Sequence, residues 1–149
     1  MNIKIKKLHP DAIVPTYGTD GAAAFDLYAC VVGDDRDRAY IAHGESVEVD
    51  TGLAFEVPDG YAMFIYSRSG HGFVDDVRLA NCVGVIDSDY RGPVQVKLTA
   101  DAGSGGFGVC VGDRIAQAVI LPVPRVEFEV VDTLAPTARG TGGFGSTGK

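Results

Sequence analysis

Three short polar segments carry the residue types that chemistry on a phosphorylated compound requires. The first is segment 66–70 (YSRSG), which directly follows the apolar run 61–65. Arg68 offers a planar guanidinium, Ser69 a hydroxyl and Gly70 an amide with no neighbouring Cβ, and such groups bind phosphate. Taken alone, the segment is more typical of a surface turn with an ion-paired arginine, so it needs support from elsewhere in the chain.

The second polar segment is 81–92 (NCVGVIDSDYRG). It reads as strand, turn and strand, with Asp87, Asp89 and Tyr90 near the tip of the predicted hairpin. A carboxylate beside a phosphate pocket can hold a water and take its proton, and the backbone groups of a hairpin can hydrogen-bond the flat edge of a base. An Asx-stabilised turn with solvated carboxylates is the structural alternative for this segment on its own.

The third polar segment, 112–117 (GDRIAQ), leads into the apolar run 118–121, which is typical of a strand buried on both faces. On its own, a turn with a capped Asp–Arg pair explains this segment. The three segments indicate a site that handles phosphate only when they are taken together.

The elements that must position these segments are short β-strands. Apolar and polar residues alternate in the segments 46–57, 94–98, 107–111 and 126–130. Glycine, proline or aspartate punctuates nearly every gap, and no window of a dozen residues shows a helical stripe. The pattern predicts an all-β fold, a jelly-roll-like barrel or sandwich of many short strands, with at most one short helix near 69–73. A kink is expected at Gly52.

Length and charge limit both the architecture and the partners. The chain has 149 residues and a mass of 15.6 kDa, which indicates one β-domain at 1–132 followed by a flexible glycine-rich tail at 133–149. The net charge of −7 disfavours a protein that coats nucleic acid. No apolar run approaches 18 residues, so no membrane partner is expected.

The cysteines and histidines indicate neither a disulfide framework nor a zinc site. The three cysteines lack CxxC spacing, and the first ten residues lack an apolar stretch of signal-peptide length. Both features favour a reduced cytoplasmic location with buried, chemically silent thiols. The three histidines are scattered, with no HxH or HxxxH pair.

Together with Asp26 and the tail, the three polar segments resemble the five motifs of the trimeric deoxyuridine triphosphatase (dUTPase) family, in order and over nearly the whole chain. The corresponding segments are 22–27, 58–70, 84–92, 112–117 and 139–148. The third is the closest match. Ala24 stands where the family usually has glycine, and the resemblance assigns no role to His71, Asp75 or Asp76.

The resemblance implies hydrolysis of dUTP to dUMP and pyrophosphate, which keeps uracil out of DNA and supplies dUMP for dTMP synthesis. Asp87 is then the catalytic base that orients a water for in-line attack on the α-phosphorus. The implied cofactor is Mg²⁺, held by the triphosphate and by waters with no direct protein ligand. Asp26 is the candidate to hold one of those waters.

The substrate contacts that the resemblance implies divide by the part of dUTP that they touch. The phosphate contacts are Arg68, Ser69, Gly70 and Gln117. The uracil edge is met by Asn81, Val85, Ile86 and Gln95. The ring of Tyr90 lies against the deoxyribose and excludes a 2′-hydroxyl. From the tail, Phe144 stacks over the uracil, while Arg139 and the glycine amides, Gly145 among them, close on the phosphates.

The family also implies a homotrimer with shared active sites. In each site the first, second and fourth motifs come from one subunit, the third motif comes from a second subunit, and the tail comes from the third subunit. A monomer is therefore expected to be inactive. Three other interpretations stay open. A dCTP deaminase has the same fold but needs a glutamate that segment 81–92 lacks. A nucleotide-sensing regulatory protein and a purely structural β-trimer are the others, and a regulatory protein partner is compatible with catalysis.

Overall fold

The structure is a computed structural model, and it describes residues 1–33, 37–101, 103, 105–146 and 148. Residues 147 and 149 of the predicted tail therefore lie outside the described residues. Thirteen strands and one helix, α1 (Ser69–Val74), form in the described part. The strands are β1 (Lys4–Lys7), β2 (Thr16–Tyr17), β3 (Phe25–Tyr28), β4 (Val31–Val32), β5 (Arg38–Ile41), β6 (Ser46–Asp50), β7 (Leu53–Glu56), β8 (Tyr61–Tyr66), β9 (Val77–Leu79), β10 (Val83–Ile86), β11 (Gln95–Ala100), β12 (Phe107–Cys110) and β13 (Arg114–Pro122).

The predicted all-β fold is confirmed, and α1 is the single short helix expected near 69–73. One antiparallel sheet has five strands in the order β10-β8-β13-β3-β2, and a second has four in the order β4-β6-β11-β9. Strands β1 and β7 form a further pair, as do β5 and β12. These sheets are open, and no closed barrel forms in the described part of the chain. No helix there is long and apolar enough to cross a membrane.

One hydrophobic core unites the two larger sheets. Leu27, Met63 and Ile65 come from the five-stranded sheet, and Val49 and Leu98 come from the four-stranded sheet; all five are almost fully buried. Burying a side chain of this size contributes about 2 kcal/mol to folding. The alternation that predicts each strand is the alternation of core-facing and outward residues, so this core holds the two sheets in place.

The kink predicted at Gly52 divides segment 46–57 into two strands that belong to different sheets. Gly52 has a φ of +67°, and its amide donates to the Asp50 carboxylate at 2.7 Å. The hydroxyl of Thr51, which is fully buried, donates to the carbonyl of Val94 at 2.7 Å and accepts from the amide of Leu53 at 3.3 Å. The chain thus changes sheets without leaving a buried polar group unpaired.

The alternating segment 126–130 does not form a strand, and this expectation is wrong for a single chain. Described residues from 123 onward contain neither strand nor helix, and the side chains of Phe128 and Val130 are 93% and 98% exposed. An alternating segment becomes a strand only where another strand satisfies its backbone groups. Here the described pairing offers it no partner strand.

The expectation of buried thiols holds for one cysteine of three. Cys30 is buried, whereas Cys82 and Cys110 are exposed, and all three are free. Burial raises the pKa of the Cys30 thiol, and the nearby Asp50 carboxylate adds to the shift. Cys30 is accordingly the least reactive of the three toward electrophiles.

We predict that Gly52→Ala lowers the free energy of unfolding by about 3 kcal/mol, because a side chain is strained at positive φ and has no space here. A Cβ at Gly52 would lie 2.7 Å from the Cys30 Sγ and 2.9 Å from the Ala12 Cβ. Gly60→Ala is the matched control, since Gly60 has a φ of +79° but open space around it. Urea unfolding measures both variants, and equal losses of stability would contradict the packing argument.

Candidate active site

Three of the polar segments meet at one end of the five-stranded sheet. Strand β13 runs antiparallel between β3 and β8, and Gln117 pairs in register with Asp26 on one side and with Tyr66 on the other. Segment 66–70 continues from the end of β8, and Arg114 opens β13 at the same end. The strand register therefore brings together residues that are up to 91 positions apart in the chain.

The carboxylate of Asp26 is the electrostatic centre of this cluster, and its side chain is only 14% exposed. One oxygen accepts from Nε of Arg68 at 3.2 Å, and the other accepts from Nη1 of Arg114 at 3.3 Å. Two guanidinium groups this close together would otherwise repel each other. The three side chains form a fixed group with a net positive charge, which suits an anionic ligand. We name this group, together with Ser69, Gly70 and Gln117, the cationic cluster.

Two hydrogen bonds at Ser67 hold the loop that carries Arg68, one from Gln117 and one from Leu79. The amide nitrogen of Gln117 donates to the carbonyl of Ser67 at 3.1 Å, and the hydroxyl of Ser67 accepts from the amide of Leu79 at 2.9 Å. At Gly70 no heavy atom lies within 4 Å of where a Cβ would stand. The predicted phosphate contacts are thus brought together: Arg68, Ser69 and Gly70 lie on the anchored segment, and Gln117 on β13 anchors it. Open space lies beside Gly70.

The residues predicted to meet a base also lie together. One cavity of about 400 Å³ is lined by Asn81, Val85, Ile86 and Gln95, and Ile65 lines it as well. Strand β10 is the edge of the five-stranded sheet, so its outer side presents unpaired backbone donors and acceptors to this cavity. A flat apolar ligand with a polar edge fits a wall of this kind.

Segment 81–92 is not the two-stranded hairpin that its sequence predicts. Strand β10 pairs with β8, and the chain then turns away to β11 in the other larger sheet. We call residues 87–92 the Asp87 turn. The amide of Tyr90 donates to the carbonyl of Asp87 at 3.3 Å, and Nη1 of Arg91 donates to the carbonyls of Ser88 and Tyr90 at 2.6 and 2.8 Å. The turn is therefore fixed by its own hydrogen bonds rather than by a partner strand.

Tyr90 is anchored at the end of this turn, while Asp87 points out to solvent. The hydroxyl of Tyr90 donates to the carbonyl of Pro93 at 3.0 Å, and a Cβ at Gly92 would overlap that hydroxyl. The side chain of Asp87 is exposed, and it makes no side-chain hydrogen bond or ion pair within the described residues. Its lone pairs are thus available for a water.

The cationic cluster and the Asp87 turn lie at opposite ends of β8. Val83 pairs with Tyr66, and Ile86 pairs with Met63. Asp87 follows Ile86 at one end of the strand, and Arg68 extends beyond Tyr66 at the other. With a rise of about 3.3 Å per residue, the two groups are separated by roughly 20 Å along the strand direction. A single chain does not bring them to one ligand.

The tail residues lie apart from both groups. Nε of Arg139 donates to the carbonyl of Gly142 at 2.8 Å, and the other hydrogen bonds of the described tail are local turns. Phe144 is fully exposed, and Gly145 has a φ of +90°. The structure therefore does not bring Arg139, Phe144 or Gly145 to the cationic cluster or to the cavity.

Two residues here, Arg114 within the cationic cluster and His71 beside it, are not among the site residues that the sequence predicts. Arg114 pairs with Asp26, and His71 lies with Nε2 at 2.8 Å from the carbonyl oxygen of Arg114. Arg114 belongs to a motif, so its pairing was within reach of sequence reasoning. The contact of His71 depends on a backbone oxygen in a distant strand, for which the sequence carries no signal.

Comparison with known proteins gives consistent matches along the chain. The family model described as dUTPase matches residues 10–148. A deoxyuridine 5′-triphosphate nucleotidohydrolase of Nautilia profundicola is 44% identical over 149 residues, covering 100% of both chains. A mutant dUTPase of Staphylococcus bacteriophage 80alpha, solved with dUpNHpp, superposes with a TM-score of 0.87 at 22% identity, covering 99% of each chain. A mutant dUTPase of phage phi11 of S. aureus, solved with a structural Mg(II) ion, gives a TM-score of 0.77 at 20% identity over 89% of this chain and 98% of that one.

We predict that Asp26→Asn lowers the free energy of unfolding by about 2 kcal/mol, because two guanidinium groups lose their shared, largely buried counter-ion. Asp59→Asn is the matched control, since Asp59 is exposed and a surface change of this kind costs less than about 0.5 kcal/mol. Denaturant unfolding of both variants checks the difference. Equal stabilities of the two variants would show that Asp26 does not hold the cluster together.

Proposed function

The chain belongs to the dUTPase family, and we propose that it hydrolyses dUTP to dUMP and pyrophosphate with Asp87 as the base that activates water. The observation that carries the proposal is the exposed, unpaired carboxylate of Asp87 directly after the edge strand that lines the base-sized cavity. A water held by this carboxylate attacks the α-phosphorus and passes a proton to Asp87. The bond from the α-phosphorus to the bridging oxygen breaks, and pyrophosphate leaves with that oxygen.

The cationic cluster supplies the phosphate contacts in this proposal. Arg68 is already held by Asp26, so little side-chain entropy is lost when its free N–H groups meet a phosphate. Ser69 and Gly70 add a hydroxyl and an unobstructed amide. Local positive charge of this kind offsets the overall charge of −7 that would repel a triphosphate.

We infer that the Mg²⁺ ion is carried by the triphosphate itself. Both oxygens of Asp26 already accept hydrogen bonds from arginine side chains, so a direct bond from Asp26 to the ion would have to replace one of them. Mg²⁺ keeps several waters and binds phosphate oxygens, so it needs at most a water-mediated contact to Asp26. When bound, the ion offsets negative charge on the phosphates.

Base selection is assigned to the cavity beside β10. The backbone edge of Val85 and Ile86 and the amides of Asn81 and Gln95 can satisfy the donor and acceptor pattern of uracil. Cytosine would place an amino donor where uracil has an acceptor, and an unmatched buried polar group discriminates strongly. In this proposal the ring of Tyr90 excludes a 2′-hydroxyl, and its anchorage to the Pro93 carbonyl supports that role.

The separation along β8 supports active sites that are shared between copies of this chain in a homotrimer. A site that uses both the cationic cluster and Asp87 must take them from different copies, because one chain holds them roughly 20 Å apart. The exposed apolar residues of 126–130 further support association. The tail then comes from the third copy of the trimer. In this proposal Phe144 lies over the base, and Arg139 and Gly145 lie at the phosphates.

The release of pyrophosphate tests the function directly. With Mg²⁺ present, we expect rapid release from dUTP and little from dCTP, UTP or dTTP. In ¹⁸O-labelled water the label is expected in dUMP, because attack occurs at the α-phosphorus. Label in the pyrophosphate would overturn the mechanism. A protein that deaminates dCTP, or that binds dUTP without turnover, would overturn the function.

We predict that Asp87→Asn lowers kcat for dUTP by at least about 10²-fold, since a positioned base contributes roughly 10²–10⁴ in rate, while the affinity for dUpNHpp stays within about threefold. Asp89→Asn is the matched control in the same turn, and we expect a far smaller loss of kcat. Calorimetry gives the affinities and pyrophosphate release gives the rates. Full turnover in the Asp87→Asn variant would remove Asp87 from the chemistry.

A further inference from the structure

His71 is the one side chain of α1 that turns toward the sheet. The helix has no fully buried residue, and Phe73 and Val74 are strongly exposed. The side chain of His71, in contrast, is only 16% exposed. Its ring packs edge-on against Phe107 at a centroid distance of 4.8 Å. The aromatic contact thus helps to hold the ring in one orientation.

The contacts of the ring assign the position of a proton. Nε2 of His71 lies 2.8 Å from the carbonyl oxygen of Arg114, and a carbonyl oxygen only accepts. Nε2 therefore carries a hydrogen and donates it. Nδ1, at the other side of the ring, faces the Asp75 carboxylate at 3.5 Å.

The same carbonyl oxygen is also the second anchor of Arg68. Nη1 of Arg68 donates to the Arg114 oxygen at 3.4 Å, and Nε of Arg68 donates to Asp26. Nη1 also lies 3.4 Å from Nε2 of His71, because the two donors share the Arg114 oxygen. The guanidinium is therefore fixed at one end by a carboxylate and at the other by a carbonyl that His71 holds in place. Among the described residues, the side chains of His71 and Arg68 hydrogen-bond this oxygen, so loss of the histidine leaves the 3.4 Å contact to Nη1 as its one side-chain bond.

We propose that His71 is a positioning residue that fixes the Arg68 guanidinium toward the triphosphate by holding the Arg114 carbonyl. The proposal rests on the proposed hydrolysis of dUTP, and it gives a role to a residue for which the sequence motifs provide none. His71 touches no substrate atom in this account, and it acts through Arg68. Its loss should therefore weaken phosphate binding more than it slows the chemical step.

The test compares His71→Leu with His71→Gln. Leucine keeps a similar volume but has no donor, whereas glutamine places an N–H at a comparable distance from the backbone. We expect KM for dUTP to rise about tenfold in His71→Leu, with kcat within about threefold, as befits one lost hydrogen bond. His71→Gln should return KM to within about twofold of the wild-type value. His9→Leu, which lies outside this network, should leave both constants unchanged.

An Arg68→Ala background separates positioning from general structural support. If His71 acts through Arg68, His71→Leu causes no further rise in the calorimetric dissociation constant for dUpNHpp once Arg68 is absent. An additive rise of that constant in the Arg68→Ala background would overturn the proposal. So would a loss of thermal stability in His71→Leu with KM unchanged, or failure of glutamine to rescue. Unaffected wild-type turnover of dUTP in the same experiment shows that only the His71 inference has failed. A wild-type protein that does not hydrolyse dUTP overturns both.

Discussion

The antiparallel pairing of β13 with both of its neighbours is the constraint on which the candidate site depends. Because Gln117 stands in register with Asp26 and with Tyr66, the ends of three segments converge at one edge of the sheet. A shift of one residue would turn every side chain in the row to the opposite face. Ile115, Ala116 and Ala118 of β13 are buried in the core. Their burial fixes the register, and the register in turn fixes the positions of the charged groups in the cationic cluster.

The same register determines what one chain cannot do alone. Strand β8 carries the cationic cluster at its end and, through β10, the Asp87 turn near its beginning. Proximity and orientation are worth many kcal/mol in catalysis, and they are lost if a base and the phosphate it serves are held roughly 20 Å apart. In the homotrimer that we propose, division of the site between copies makes assembly a condition for activity. The same proposal accounts for the apolar residues at 126–130 that are exposed in a single chain.

The sequence predicts those parts of the fold that a local pattern decides. Period-two alternation predicts the all-β fold, the glycine within segment 46–57 predicts the kink at Gly52, and a short helix is expected near 69–73. The sequence does not predict the parts whose structure depends on pairing with a distant strand. Segment 81–92 has the pattern of a hairpin, but β10 pairs with β8, and segment 126–130 alternates without a partner strand. His71 was missed because its contact is to a carbonyl of a distant strand, and such an oxygen is the same for every residue type.

Recovery of activity by mixing two inactive variants tests the shared site most directly. Arg68→Ala destroys the cationic cluster and Asp87→Asn removes the base, so each variant alone is expected to be inactive. When equal amounts are unfolded and refolded together, about a quarter of the sites should combine an intact cluster from one copy with an intact Asp87 from another. Wild-type protein treated in the same way controls for refolding. A mixture as inactive as either variant would contradict the account, because it would mean that both groups act from one chain.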